Sequence, residues 1–213
     1  MSTTLTTKEA RPATGLILLT MSLGVLIAQI DTSVVNLAVK RIGADFNAGV
    51  TALQWIVDVY NLVYASLLLS AGTLADLYGR RRIFALGVAL FTLGTVVCGL
   101  ASDVPVLVAG RAVAGLGAAL EVPASLAILT IAYPDTKERT RALGIWASCY
   151  GIAMVIGPTA GGVLVDVSSW RSIFLLIIPF CVVTLVLVMT AVPESSSPQG
   201  RRLDRRSDFR LAR

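Results

Sequence analysis

The chain has 213 residues, 55% hydrophobic and only 15% charged, with a mean hydropathy of +0.79 and a net charge of +5. Soluble domains carry about 25% charged residues, so an ordinary water-soluble globule is excluded and an integral membrane protein is expected. There is no histidine, and Cys98, Cys149 and Cys181 fall inside apolar runs with no CxxC pair, which argues against a metal centre.

Residues 1–13 read as a polar amino-terminal segment. Six apolar runs follow at 14–39, 51–73, 83–101, 105–132, 141–165 and 173–192. Each is near the ~20 residues that cross ~30 Å of hydrocarbon as a helix. Barrel strands alternate apolar and polar residues over about ten positions; these runs are apolar on every face, so the expected class is all-α. The first run exceeds the ~7–15-residue apolar core of a cleaved signal peptide and contains Asp31, so it reads as a retained helix. Residues 193–213 form a basic tail, PESSSPQGRRLDRRSDFRLAR.

Lysine and arginine set the expected orientation. Lys8, Arg11, Arg80, Arg81, Arg82, Lys137, Arg139, Arg141 and the tail arginines share one side, while Lys40, Arg41 and Arg171 occupy the other. Positive-inside bias puts both termini in the cytoplasm of a multi-pass plasma-membrane protein. Topology thereby accounts for the net charge, and no nucleic-acid partner is needed.

Asp31, Asp58, Arg111 and Glu121 lie within the spans. A charge at the bilayer centre costs at least ~2.5–3.5 kcal/mol on insertion scales, so such residues are functional candidates by default. At ~1.5 Å rise per residue, Asp31 sits about 12 Å, Asp58 about 10 Å and Arg111 about 9 Å from the outer end of their spans. All three are expected to share one outer-half layer. An arginine beside a carboxylate favours its charged form and desolvation favours the neutral one. A carboxylate held between these effects loads and releases a proton as the arginine approaches and withdraws.

The stretch at 72–84, GTLADLYGRRRIF, returns ninety residues later as GVLVDVSSWRSIF. Gly72, Leu74, Asp76, Arg81, Ile83 and Phe84 recur as Gly162, Leu164, Asp166, Arg171, Ile173 and Phe174, and the same offset pairs Asp31 with Glu121 and Tyr60 with Tyr150. The matched acids lie at opposite depths, as an inverted repeat requires. Two three-helix units are expected, about 14–101 and 105–192, within one bundle over 14–192.

Four motifs carry a resemblance. Gly72, Asp76, Gly79, Arg80 and Arg81 mark the loop after the second span, and Asp31-Thr32-Ser33-Val34-Val35-Asn36-Leu37-Ala38 lies in the first. Arg111, Gly115, Gly117 and Ala118 mark the fourth span; Gly151, Gly157, Pro158, Gly161 and Gly162 mark the fifth. Taken singly, the glycines read as close helix packing, Pro158 as a bend that removes one hydrogen bond inside the membrane, and Trp55 as an interfacial anchor. Together and in this order they resemble the amino-terminal half of a drug:proton antiporter of the major facilitator superfamily, most like its fourteen-helix branch. Departures are Leu77 for a usual basic residue, Lys40 for a proline, Ala114 for a glutamine and Ile177 for an asparagine.

The resemblance implies proton-coupled efflux of small amphipathic drugs and no cofactor. It makes Asp31 and Arg111 the coupling pair, and Asp58, Tyr60 and Glu121 candidates for the substrate cavity. It makes Gly72, Asp76, Gly79, Arg80 and Arg81 a cytoplasmic latch between two halves, and the fifth-span glycines with Pro158 the antiporter motif. Export of an endogenous metabolite and a non-transporting remnant or interaction subunit are the alternatives. Six spans expose a cavity face, so a homodimer or a separate carboxy-terminal half is the expected partner. The tail reads as a solvated or lipid-binding segment or as a truncated linker. No nucleophile–base pair or phosphate loop is present in the sequence, so an enzyme is not expected.

Overall fold

A computed structural model describes residues 14–195, and every described element is helical: α1 (Thr14–Phe46), α2 (Val50–Tyr78), α3 (Arg80–Gly99), α4 (Val104–Ala132), α5 (Thr136–Val167) and α6 (Arg171–Ala191). The expected polar amino terminus, most of the basic tail and their lysine and arginine residues lie outside the described residues. All six helices are long and apolar enough to cross a bilayer. Their boundaries have local causes. Asp103 and Asp135 cap α4 and α5, each accepting a backbone N–H at 2.9 Å, from Val106 and Glu138. Between α2 and α3 the chain reverses at Gly79, whose φ of +104° a residue with a Cβ adopts only under strain.

The first helix is longer than the apolar run. It spans 33 residues, about 50 Å at 1.5 Å per residue, and so projects beyond the hydrocarbon. Lys40, Arg41 and Asp45 ride on the projecting part, where charge costs little. Three buried hydroxyls are satisfied along their own helices: Thr20 donates to Leu16 O at 2.7 Å, Thr95 to Phe91 O at 2.8 Å and Thr184 to Phe180 O at 2.9 Å. Such back-bonding occupies donors where no water is available; the buried Ser22 Oγ, by contrast, has no partner among the described residues.

Packing obeys the ninety-residue repeat. The extensive contacts are α3 with α4, α2 with α4, α1 with α5, α3 with α6 and α1 with α6. Exchanging α1 with α4, α2 with α5 and α3 with α6 converts the α1–α5 contact into α4–α2 and the α1–α6 contact into α4–α3. Because α1 and α4 begin at opposite ends, the two three-helix units are inverted. Lipid is as apolar as leucine, so these helices are held by close packing and not by a hydrophobic drive between them. Between α3 and α4 the backbones nearly touch. A Cβ on Gly94 would lie 2.4 Å from Ala114 N, and one on Gly117 2.3 Å from Phe91 N.

Two apolar clusters fill the bundle. One contains Met21, Val25, Phe84, Phe91, Ala118 and Leu129; the other, toward the α3–α4 loop and the α5–α6 turn, contains Val34, Ile42, Ile56, Leu107 and Phe174. On α1, Asp31 falls between Ala28 of the first cluster and Val34 of the second. The outward faces of α2 and α5 are the least covered, with Leu69 87%, Met154 67% and Val155 66% exposed.

Candidate functional site

The charged centre of the bundle is an ion pair between α1 and α4. Arg111 Nη1 donates to Asp31 Oδ2, and both side chains are 1% exposed. Arg111 Nε donates to the Ile56 carbonyl at 3.3 Å, and the guanidinium lies 4.3 Å from the centre of the Tyr60 ring. Three helices therefore converge on one cation: α1 supplies the carboxylate, α4 the guanidinium, and α2 a carbonyl and an aromatic face. Tyr60 is itself buried. Gly115 lets α4 come this close, because a Cβ there would sit 2.6 Å from Tyr60 O. Asp31 Oδ1 has no hydrogen-bond partner among the described residues.

Asp58 lies at the depth of this pair, between the two α2 residues that touch Arg111, but on the other side of the helix. Ile56 and Tyr60 define the buried side of α2, and a residue midway between them is about 200° around the helix from either. Asp58 is accordingly exposed, and with Gln54, Trp55 and Leu62 it lines an open groove. The expected triad is a pair with a tyrosine lid. Of the three cavity candidates, only Asp58 faces an open side. Tyr60 is packed on Arg111, and Glu121, 2% exposed, is enclosed by α1, α3 and α6.

The fifth-span motif divides by face. Gly157 and Gly161 are buried against α1: added Cβ atoms would meet Ser33 Oγ at 2.8 Å and Val34 Cγ1 at 2.4 Å. Gly151 and Gly162 meet nothing within 4 Å, and Pro158 is exposed. The glycine groove of α5 thus grips the turn of α1 that follows Asp31.

At the α2–α3 end, Arg80 Nε and Nη2 donate to Asp76 Oδ1 at 3.0 and 2.7 Å. Arg81 N donates to Glu194 Oε1 at 3.2 Å, Arg81 Nη1 to Val192 O at 3.3 Å, and Arg80 N to Ser195 O at 2.9 Å. Arg82 reaches Glu194 at 3.5 Å. Gly79 is buried beside Glu194, and Gly72 approaches Pro123 of α4. Arg80 and Arg81 thus bind the segment after α6, with the Asp76 side chain still 51% exposed.

The echo of that loop builds a second polar cluster at the opposite end. Arg41 Nη2 donates to Asp166 Oδ1 at 2.9 Å, Arg171 Nη1 to Asp45 Oδ2 at 2.8 Å and Arg171 Nη2 to Ala101 O at 3.1 Å, while Trp170 Nε1 donates to Asp45 at 3.0 Å. These bonds join the end of α1, the α3–α4 loop and the α5–α6 turn. Sequence reasoning missed Asp45 and Glu194 as anchors. Their signal was slight: one acid a turn beyond Arg41, another just past the last apolar run.

The model of the Major Facilitator Superfamily matches residues 21–212. The chain is 44% identical over 189 residues to the multidrug resistance protein Stp of Mycobacterium tuberculosis (strain CDC 1551 / Oshkosh), covering 89% of this chain and 35% of that protein. It is 38% identical to the methylenomycin A resistance protein of Bacillus subtilis (strain 168), covering 89% of this chain and 42% of that one. The chain thus spans less than half the length of these curated relatives. Its fold is similar to part of the xylose transporter XylE from E. coli, solved in an inward-open conformation: TM-score 0.75 at 19% identity, over 85% of this chain and 48% of that one. Six membrane-length helices, their packing and these matches agree: the chain belongs to the major facilitator superfamily.

Proposed function

We propose that the chain is the amino-terminal half of a secondary active transporter of the plasma membrane, which exports small amphipathic drugs in exchange for protons. The observation that supports this most is the sealed Asp31–Arg111 pair, whose two members stand on different helices. Moving α1 against α4 deprives Asp31 of the cation it contacts. A bare carboxylate in a low-dielectric interior is costly, and taking a proton relieves that cost. Re-forming the pair expels the proton again. Proton occupancy and helix arrangement then become one linked equilibrium. Gly157 and Gly161 let α5 slide on the α1 turn next to Asp31, Pro158 supplies the bend, and Asp76 with Arg80 and Arg81 latches the cytoplasmic end.

Substrate contact falls to the open groove around Asp58, Gln54 and Trp55, where a carboxylate beside an indole suits a cationic, partly aromatic compound. Asp58 facing lipid at this depth would cost several kcal/mol, so this face meets a second half or a second copy. Both termini lie in the cytoplasm, because Arg80, Arg81, Arg82, Lys137, Arg139 and Arg141 gather at that end.

Ethidium efflux from cells that produce the protein tests the reading. Efflux is expected to stop with a protonophore and in Asp31→Asn. Unchanged proton-dependent efflux in Asp31→Asn rejects the role of Asp31. Absence of efflux from correctly inserted wild-type protein favours the non-transporting subunit. Cross-linking in the same membranes is expected to capture a second copy or a separate half.

A further inference from the structure

Glu121 has no part in the pair just described. It sits ten residues after Arg111 on α4, about 15 Å farther along the helix. Gly24 and Ile27 of α1, Val88 and Phe91 of α3, and Cys181 and Thr184 of α6 surround it. The carboxyl is 2% exposed and Oε1 has no hydrogen-bond partner among the described residues. The nearby hydroxyl is spent, since Thr184 donates to Phe180 O at 2.9 Å. The space left beside the carboxyl has no room for a water molecule, so no hidden solvent serves as donor there.

Among the described residues no cation faces this carboxyl. The titratable groups within electrostatic reach are Tyr60 and Tyr64 of α2, Tyr150 of α5 and Cys181 of α6. From α3 the neighbours are apolar, and α1 presents a glycine and an isoleucine with Asp31 two turns on. The nearest buried guanidinium, Arg111, is committed to Asp31. The repeat explains the deficit. Glu121 stands where Asp31 stands in the first unit, but the counterpart of Arg111 is Met21. The acid was duplicated and its base was not. Gly24 keeps the room for it: a Cβ there would lie 2.0 Å from Oε1 and 2.9 Å from the Phe84 ring.

We propose that Glu121 is a second proton-binding site, distinct from Asp31, filled in the conformation seen here and emptied when α4 and α1 part. The chemistry is protonation of one carboxylate oxygen by a proton from water, with no other bond made or broken. A lone carboxylate in this setting has neither cation nor donor, and the neutral acid removes most of that penalty. In this state the two interior acids are treated differently: Asp31 is paired with Arg111, while Glu121 holds a proton.

The chain has four glutamates, Glu9, Glu121, Glu138 and Glu194. Carbon-13 NMR of the full chain in lipid nanodiscs, with glutamate labelled at the side-chain carboxyl, reads each one without mutation. One of the four resonances is expected to remain at the protonated position at neutral pH, to vanish in Glu121→Gln and to survive in Asp31→Asn. Its isotope shift on transfer to D2O is expected to show that the proton exchanges with solvent. Four ionised resonances at neutral pH overturn the proposal, as does a protonated resonance that persists in Glu121→Gln or never exchanges. If Glu121→Gln does not fold, the wild-type spectrum alone still decides between one protonated glutamate and none.

Discussion

Replacing Arg111 by methionine keeps a long side chain between α1, α2 and α4 but removes the cation that Asp31 contacts among the described residues. Both partners are 1% exposed, so water does not compensate the orphaned carboxylate. Breaking a buried pair by removing one member costs about 3–5 kcal/mol. The bond to Ile56 O and the stacking on Tyr60 are lost as well, although they overlap with the first loss and are not simply added. At roughly 2–4 °C per kcal/mol for a chain of this size, the lower figure of about 3 kcal/mol corresponds to a fall in Tm of roughly 6–12 °C. The assay is thermal unfolding of the purified chain in nanodiscs, followed by tryptophan fluorescence, on Arg111→Met, Asp31→Asn and the double variant. The double variant leaves no bare charge and is expected to be more stable than Arg111→Met alone. A double variant whose loss equals the sum of the two single losses refutes the reasoning, because it means that the two side chains act independently.

Three further outcomes follow from local geometry. Gly117→Ala forces a methyl to 2.3 Å from Phe91 N, so α3 and α4 must part; a loss of about 1–3 kcal/mol is expected, whereas Gly144→Ala, with nothing within 4 Å, should stabilise its helix by up to about 1 kcal/mol. Ser125→Ala removes the acceptor that Trp146 Nε1 reaches at 3.1 Å; stranding that buried donor is expected to cost about 1–3 kcal/mol, with a shift in indole emission as a second readout. Gly161→Ala drives a Cβ to 2.4 Å from Val34 Cγ1, so it should lower Tm, and Val34→Ala in the same chain should recover most of the loss; no recovery means that the clash lies elsewhere.

How much of this could be read in advance differs from residue to residue. The six spans were legible because hydropathy alone decides which segments cross a bilayer. The Asp31–Arg111 pairing was legible because depth arithmetic on rigid helices places both groups in one layer. Depth carries no information about direction around the helix, and that is why Asp58 was misplaced. On α2 the stripe through Trp55, Asp58 and Leu62 and the stripe through Ile56 and Tyr60 are both largely apolar, so composition does not say which one faces the core. The enclosure of Glu121 was hidden for another reason. Its match to Asp31 in the repeat is a statement about position, while its surroundings depend on what stands at the position matching Arg111, and that is Met21.

The same asymmetry bears on where the bundle bends. On the α3–α4 side the close contacts are between backbones, with Gly94 and Gly117 facing the amide nitrogens of Ala114 and Phe91. A backbone cannot yield without breaking its helix, so α3 and α4 are expected to move as one body. On the matching side, α5 presents glycines to the side chains of Ser33 and Val34, and side chains change rotamer at little cost. On the proposed mechanism the compliant seam is therefore expected between α1 and α5, beside Asp31, with Arg111 and Glu121 carried together on the α3–α4 unit. Motion at that seam changes what Asp31 faces. Because α1 also closes one wall around Glu121 through Gly24, the same motion opens the second acid, and the two sites need no further linkage to respond together.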